Sequence, residues 1–436
     1  MHTEPLGRRG FMRTALTGAA GALAVEGADE HSPAALPPGQ LFSDPEFAFT
    51  TQIGLGASYY GTSNPGKLFS IATRIKDGDF ESAYQAYHDA GLEARRWAEA
   101  AASKGHRISA RDAWLWAASY FSLSMRFLDG TQDSSRLSPT FQEYENCWEQ
   151  AAALFHPAVE RVAIPYENTT LTGWFFRADD SRRRRPLVIL NNGADGSDLS
   201  MYVLGAAGGI ARGYNCLTFN GPGQNDSLWL KKLYFRPDWE KVITPVVDFA
   251  IAHPEVDPKR IALIGISQGG YWAPRALAFE HRIAAGVADP GVTNVAEVWI
   301  RNLPKPLVDL LHDGKREQFD AMMSMGVKFN PRSRMVLSSR MRPFGMSSYY
   351  DVYAALADYS LKNVAAQIRC PMLITNPESE QFFAGQPRQL RELLTCPKKL
   401  VDFTRAQGAD LHCEVNAPGY RDYQIYNWLD ETLTLS

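Results

Sequence analysis

From Pro186 onward the chain alternates short apolar runs with helix-patterned stretches, and this alternation restricts the fold more than any other feature. The strand candidates are "PLVILNNG", "YNCLTFNG", "IALIGI", "AAGVAD", "PMLITN" and "KKLVDFT". Between and after them come "SDLSMYVLGAAGGIARG", "WEKVITPVVDFAIAH", "QGGYWAPRALAFE", "GQPRQLRELL" and "YRDYQIYNWLDETL". The strand runs are uninterruptedly apolar, as befits strands buried on both faces. Repeated β-then-α units of this kind predict an α/β fold with a mostly parallel sheet and helices on both sides. Just before them, "VERVAIPYENTTLTGWFFRA" has period two and reads as two strands around Glu167 and Asn168. The run "SRRRRP" is a solvated basic loop into the next strand.

The preceding stretch is helical. "ESAYQAYHDAGLEARRWAEAAASKGH" places Tyr84, Tyr87, Leu92 and Trp97 at near-helical spacing, and Gly105 stops it. A second helix runs from Ser109 as N-cap to Gly130, and a third covers "PTFQEYENCWEQAAALF". Their aromatic faces supply the core of a helical unit and its contact with the next domain. The expected organisation is therefore a signal and Pro-rich linker over 1–45, an N-terminal helical domain over 46–157 and a catalytic domain over 158–436. That last domain carries a mixed, lid-like segment over 295–363. Within 1–45, Arg8 and Arg9 precede Phe11, a weakly apolar run and Ala22-Leu23-Ala24. This resembles a twin-arginine signal, so export of the folded protein is expected and residues up to about Ala24 take no part in the fold.

Composition excludes several classes. A formal net charge of −3 gives no electrostatic case for nucleic acid or an anionic membrane surface. No apolar run approaches the roughly 18 residues of a spanning helix. Five cysteines in 436 residues, none at C-x-x-C spacing, make no disulfide framework, although a Cys396–Cys413 pair stays open. No H-x-x-x-H or Cys/His cluster occurs, so a metal is not expected.

The chemistry centres on "IALIGISQGGYW", where Gly265-Ile266-Ser267-Gln268-Gly269 joins a strand to a helix. Serine needs a base to become a nucleophile. In a G-x-S-x-G turn the glycines permit a tight corner that lifts the hydroxyl above the sheet edge. The N–H of the next residue, Gln268, then faces a developing oxyanion at a helix N-terminus. Of nine histidines, His412 in "AQGADLHCE" follows the last strand, at the edge where a base reaches Ser267. The acid that orients it should follow the strand before last. "PMLITNPESEQFF" offers Glu380, favoured by its distance from the strand end, with Glu378 as the alternative. In "LNNGADGS", Gly193 lets the backbone turn in and Ala194 offers a second oxyanion N–H, while "NGPGQND" forms another tight loop at the same edge. Asp289, ending "AAGVAD", is either a turn residue or a contact with the substrate.

"GISQGGYWAPRALA", "GADLHCE", "NNGADGS" and "NGPGQ", following a helical domain, resemble the α/β-hydrolases that include 2,6-dihydroxypseudooxynicotine hydrolase and the fungal heptaketide chain-shortening hydrolases. The resemblance spans about Phe47 to the C-terminus. It implies a cofactor-free serine hydrolase, several of whose relatives cut a carbon–carbon bond next to a ketone. It also implies a helical domain that covers the active site and helps to form a homodimer. Carried over, Ser267 is nucleophile, His412 base, Glu380 acid, and the Ala194 and Gln268 N–H groups the oxyanion hole. A glutamate stands where the family commonly has aspartate. The substrate expected is a partly apolar or aromatic carbonyl compound, a ketone, β-diketone or ester. An acyltransferase or aminopeptidase-like relative, and a non-catalytic binding protein on the same fold, are the alternatives.

Overall fold

The computed structural model describes residues 41–434, so the twin-arginine-like stretch, and with it most of the linker, lies outside the described residues. Five helices come first: α1 (Pro45–Ala57), α2 (Pro65–Ala72), α3 (Phe80–Ser103), α4 (Arg107–Leu128) and α5 (Leu137–Ala153). The first two precede the point, near Ala83, where the sequence pattern turns helical. Each is opened by a capping side chain followed by proline, Asp44-Pro45 and Asn64-Pro65, which satisfies the free N–H groups of the first turn. Ser109 is not a cap: α4 begins at Arg107, directly after the left-handed Gly105 (φ 74°) has turned the chain. Trp97 is likewise not core, being 46% exposed beneath Lys67. The buried stripe of α3 is made instead of Ala83, Ala90, Ala94 and Ala98 with Tyr84 and Tyr87. Small residues there let α4 approach closely; a Cβ on Gly91 would lie 2.8 Å from the Phe121 ring.

The sheet has eight strands: β1 (Glu160–Tyr166), β2 (Thr169–Phe176), β3 (Arg185–Asn191), β4 (Asn215–Phe219), β5 (Val256–Ile266), β6 (Ala285–Asp289), β7 (Met372–Pro377) and β8 (Lys398–Phe403). Their order is β1-β2-β4-β3-β5-β6-β7-β8. β1 and β2 form the expected hairpin around Glu167 and Asn168, and β2 is antiparallel to β4. The remaining pairs are parallel. The later helices of seven or more residues are α6 (Glu240–Ala252), α7 (Gly269–Leu277), α8 (Lys305–His312), α9 (Arg316–Phe329), α10 (Pro331–Met341), α11 (Tyr349–Ala355), α12 (Gln386–Leu393) and α13 (Pro418–Thr434).

Side chains alternate across β3, and each face has its own core. Val188 and Leu190 join Tyr144 and Trp148 of α5 and Tyr426 and Leu429 of α13, so the helical unit and one sheet face share a single hydrophobic cluster. Leu187 and Ile189 pack instead with Val246 and Val247 of α6 and Trp272 of α7. Each such fully buried side chain contributes about 1.5–3 kcal/mol.

Three further expectations change. The helix anticipated over "SDLSMYVLGAAGGIARG" breaks at Leu204 and Gly205, where the chain touches β3; a Cβ on Gly205 would lie 2.4 Å from Leu190 Cδ2. The 295–363 segment, expected to be mixed, is built mainly of α8 to α11, with one bridge between Asn294 and Ser360. All five cysteines are free, so Cys396 and Cys413 do not pair. Among the described residues no helix is long and apolar enough to cross a membrane.

Candidate active site

β5 ends at Ile266 and α7 begins at Gly269, which leaves Ser267 in a two-residue corner with φ at 57°. That is left-handed backbone, which a side chain adopts only when its surroundings enforce it. The enforcement is visible. The Ser267 N–H donates to Asp289 O of β6 at 2.6 Å, and Gly270 N–H donates to Ser267 O at 2.8 Å. The corner is so tight that a Cβ on Gly265 would lie 2.0 Å from Gly269 O.

His412 arrives on the loop after β8, where the chain reverses through two more left-handed residues, Cys413 (φ 54°) and Glu414 (φ 47°). Its Nε2 is 2.8 Å from Ser267 Oγ. On its other side Nδ1 lies 2.9 and 2.8 Å from the two oxygens of Glu380. Glu380, three residues past β7, is buried and also accepts from the N–H groups of Phe382 (2.9 Å) and Phe383 (3.0 Å). Burial disfavours a charged imidazole, but the Glu380 charge and hydrogen bond outweigh it and hold the His412 pKa above the ordinary histidine value. Burial also works against the Glu380 charge; His412 and the two N–H groups reverse the balance and hold its carboxyl below the ordinary range. Glu378 is not brought to His412: its carboxylate accepts from the Arg405 N–H at 2.8 Å. The geometry therefore offers a hydroxyl whose proton can pass to Nε2 while Nδ1–H donates to a fixed carboxylate.

Gly193 packs against the Ser267 corner, since a Cβ there would lie 2.7 Å from Ser267 Cβ. The next N–H, that of Ala194, and the Gln268 N–H donate to no acceptor among the described residues. Both residues line the cavity that holds Ser267 and His412. Sequence reasoning missed what fixes this loop. Gln224 of the "NGPGQ" stretch donates from Nε2 to Asn192 O (2.9 Å) and Gly193 O (2.8 Å), and its Oε1 accepts from Gly221 N–H at 2.8 Å. The glycines of that stretch drew notice; its glutamine was the signal. From the helical unit, Arg126 reaches Asp195 (3.1 Å) and Glu46 (3.0 Å), tying α1 and α4 to the same loop. Replacing Gln224 with alanine frees both carbonyls, and we expect kcat to fall about 10- to 100-fold, because donors displaced by even 1 Å lose their grip on the transition state. KM for a short ester should change much less; a rise in KM alone would contradict this positioning role.

Asp289 requires correction as a substrate contact. It is 0% exposed and does not line the cavity. Its Oδ1 accepts from Thr375 Oγ1 at 2.8 Å and its Oδ2 from Arg421 Nε at 2.6 Å. It supports the corner from beneath, because its backbone oxygen receives the Ser267 N–H.

The cavity measures about 320 Å³, within the span of small-molecule sites. Phe49 of α1, Phe141 of α5, Trp299 and Phe344 form much of its apolar wall, so the helical unit and the 295–363 segment both shape it. Phe382 meets His412 edge-on at 4.8 Å between ring centres.

No family model matches the chain. Among curated proteins it is 31% identical over 368 residues to the α/β-hydrolase gkaG of Penicillium citrinum, covering 80% of this chain and 86% of that one. It is 29% identical to hydrolase LUC6 of a Fusarium species (90% and 98% covered) and 29% identical to 20-hydroxy-prefusarin hydrolase FUS2 of Gibberella moniliformis (91% and 98% covered). Among solved structures, 2,6-dihydroxy-pseudo-oxynicotine hydrolase superposes with a TM-score of 0.67 at 19% identity, over 87% of this chain and 95% of that one. Sheet order, helical unit and identity over most of both chains agree, and the protein belongs to the α/β-hydrolase family.

Proposed function

We propose that the protein is a cofactor-free serine hydrolase that cleaves a carbonyl compound, a ketone or β-diketone at a carbon–carbon bond, or an ester, through an acyl-enzyme. The observation that carries this reading is the continuous Ser267–His412–Glu380 chain, with 2.8 Å contacts on both sides of the imidazole. Ser267 Oγ attacks the carbonyl as its proton passes to His412 Nε2, and the oxyanion lies against the N–H groups of Ala194 and Gln268. Collapse breaks the bond to the leaving group, which takes the proton from His412. Water, deprotonated by the same nitrogen, then releases the acyl group as a carboxylic acid. The leaving group is an alcohol from an ester, or an enolate carbon from a β-diketone. The apolar, aromatic cavity wall supports a partly apolar or aromatic substrate, and a homodimer made through the helical unit belongs to the same reading. The relative named for 20-hydroxy-prefusarin and the fold neighbour named for 2,6-dihydroxy-pseudo-oxynicotine agree with this substrate class.

The test is a fluorophosphonate probe with mass mapping, run beside turnover of p-nitrophenyl esters and an aryl β-diketone. We expect one adduct per chain, on Ser267 and absent from Ser267→Ala, with acid plus ketone released from the diketone. A protein that is never labelled and turns nothing over would instead be a binding protein on this fold. Labelling with ester cleavage alone would confine the activity to esters.

A further inference from the structure

Three arginines line the cavity: Arg126, Arg340 and Arg342. Two are neutralised. Arg126 binds Glu46 and Asp195, and Arg342 holds the buried Asp129 through both terminal nitrogens. Arg340, on the last turn of α10, differs. Among the described residues its guanidinium donates no hydrogen bond and forms no ion pair; its one contact of note is with the Phe382 ring, 5.8 Å below it. Phe382 in turn abuts His412 at 4.8 Å. Arg340 and the His412 imidazole thus contact the same aromatic ring.

The groups that act on Arg340 most strongly are Glu46, Tyr353, Asp195 and Arg301. Both carboxylates in that set already accept from Arg126, so they balance charge at a distance without occupying the Arg340 donors. Arginine keeps its charge at any physiological pH. When an apolar substrate displaces water from this cavity, the guanidinium loses its hydration and gains no acceptor, an expensive state. A substrate carrying its own anionic oxygen removes the cost, because the planar fork grips two oxygens at once.

We propose that Arg340 is a specificity-determining residue that binds an anionic oxygen of the substrate, a carboxylate or the enolate of a β-dicarbonyl, in the cavity where the scissile carbonyl meets Ser267. This deepens the serine hydrolase reading and rests on it for the position of that carbonyl. The selectivity itself is testable without turnover.

Binding is measured by calorimetry to full-length Ser267→Ala protein with two matched pairs. One pair is the p-nitrophenyl hemiester of a C8 dicarboxylic acid and its methylated neutral twin. The other is 1-phenyl-1,3-butanedione, which ionises at C2 to a conjugated enolate, and its 2,2-dimethyl analogue, which has no C2 proton to lose. We expect the anionic member of a pair to bind about 10- to 100-fold more tightly, the span of one charge-assisted bidentate contact. In Ser267→Ala/Arg340→Gln that preference should fall to about threefold or less, while Ser267→Ala/Arg340→Lys should retain part of it. Preference in the hemiester pair alone assigns a carboxylate, and in the diketone pair alone an enolate; either supports the proposal. No preference in the parent, or one that persists in Arg340→Gln, overturns it whether or not the protein is labelled at Ser267. Equal preference in a folded parent needs no variant to count against it. Absence of phosphonate labelling alongside an Arg340-dependent preference would sink the hydrolase reading alone.

Discussion

Exchange of Ser267 for alanine is expected to lower kcat by about 10⁶-fold and Glu380→Gln by about 10⁴-fold, the span seen when a nucleophile or an orienting acid is removed from such a constellation. The two losses differ in kind, and pH separates them. The base must be neutral to accept the Ser267 proton, so kcat/KM falls as pH drops through the His412 pKa. In the wild type that pKa is held above the ordinary histidine value by Glu380 against the opposing effect of burial. The acid limb of the profile should therefore lie above about 6.5. Glutamine at 380 keeps an acceptor for Nδ1–H but removes the charge, so burial dominates and the acid limb moves to lower pH while the maximum rate falls. An unmoved limb in Glu380→Gln, with the rate barely changed, would mean that Glu380 does not set the state of His412. Glu378→Gln is the matched control: its carboxylate serves only the Arg405 N–H in this region, and it should leave both rate and profile near wild type.

The difference between Glu380 and Glu378 also marks how far the sequence could be read. Strand positions were legible because buried parallel strands leave uninterrupted apolar runs, and a Gly-x-Ser-x-Gly corner has one well-defined use between strand and helix. Ser267 and His412 follow from that corner and from chain order. Counting from a strand end favoured Glu380, and the folded loop brings that residue to Nδ1. What was not legible depends on contacts between segments far apart in sequence. Gln224 fixes a loop some thirty residues earlier (|i−j| of 31 to Gly193). The stripe on α3 is alanine because α4 lies close, which turns Trp97 outward against the aromatic periodicity. Asp289 ends a strand at the catalytic edge, the place for a residue that meets substrate. Only the arrival of α13 beneath the edge, carrying Arg421, shows that its carboxylate is engaged elsewhere.

That engagement makes Arg421 the residue whose loss should destabilise the protein most. It is 0% exposed, donates from Nε to Asp289 at 2.6 Å and from Nη1 to Asp422 at 2.9 Å, and lies 3.8 Å from Glu414. Asp422 also accepts from the Tyr60 hydroxyl of the helical unit. Arg421→Met leaves Asp289 buried without its cationic partner, Thr375 still donating to it, and leaves Asp422 with Tyr60. Removing one member of a buried ion pair costs about 3–5 kcal/mol, because the other charge stays behind uncompensated. Glu414→Gln is the informative contrast. Burial and the nearby Asp289 charge push the Glu414 pKa well above the usual carboxylate range, which favours its uncharged form, and an amide of the same shape should cost no more than about 1 kcal/mol. Urea denaturation followed by fluorescence would rank the two; similar losses would show that the cluster is not organised by the Arg421 charge. The pH dependence follows from Asp422, whose pKa burial raises to about 6. An acid with a raised pKa favours the fold while protonated, so its contribution is complete below its unfolded value of about 3.9 and is lost as pH rises through 6. Asp422→Asn should remove that part of the slope between pH 4 and 6. Because Asp289 O is also the acceptor for the Ser267 N–H, the variants that loosen this cluster should lose rate along with stability, linking the support of the nucleophile to a charge that never meets the substrate.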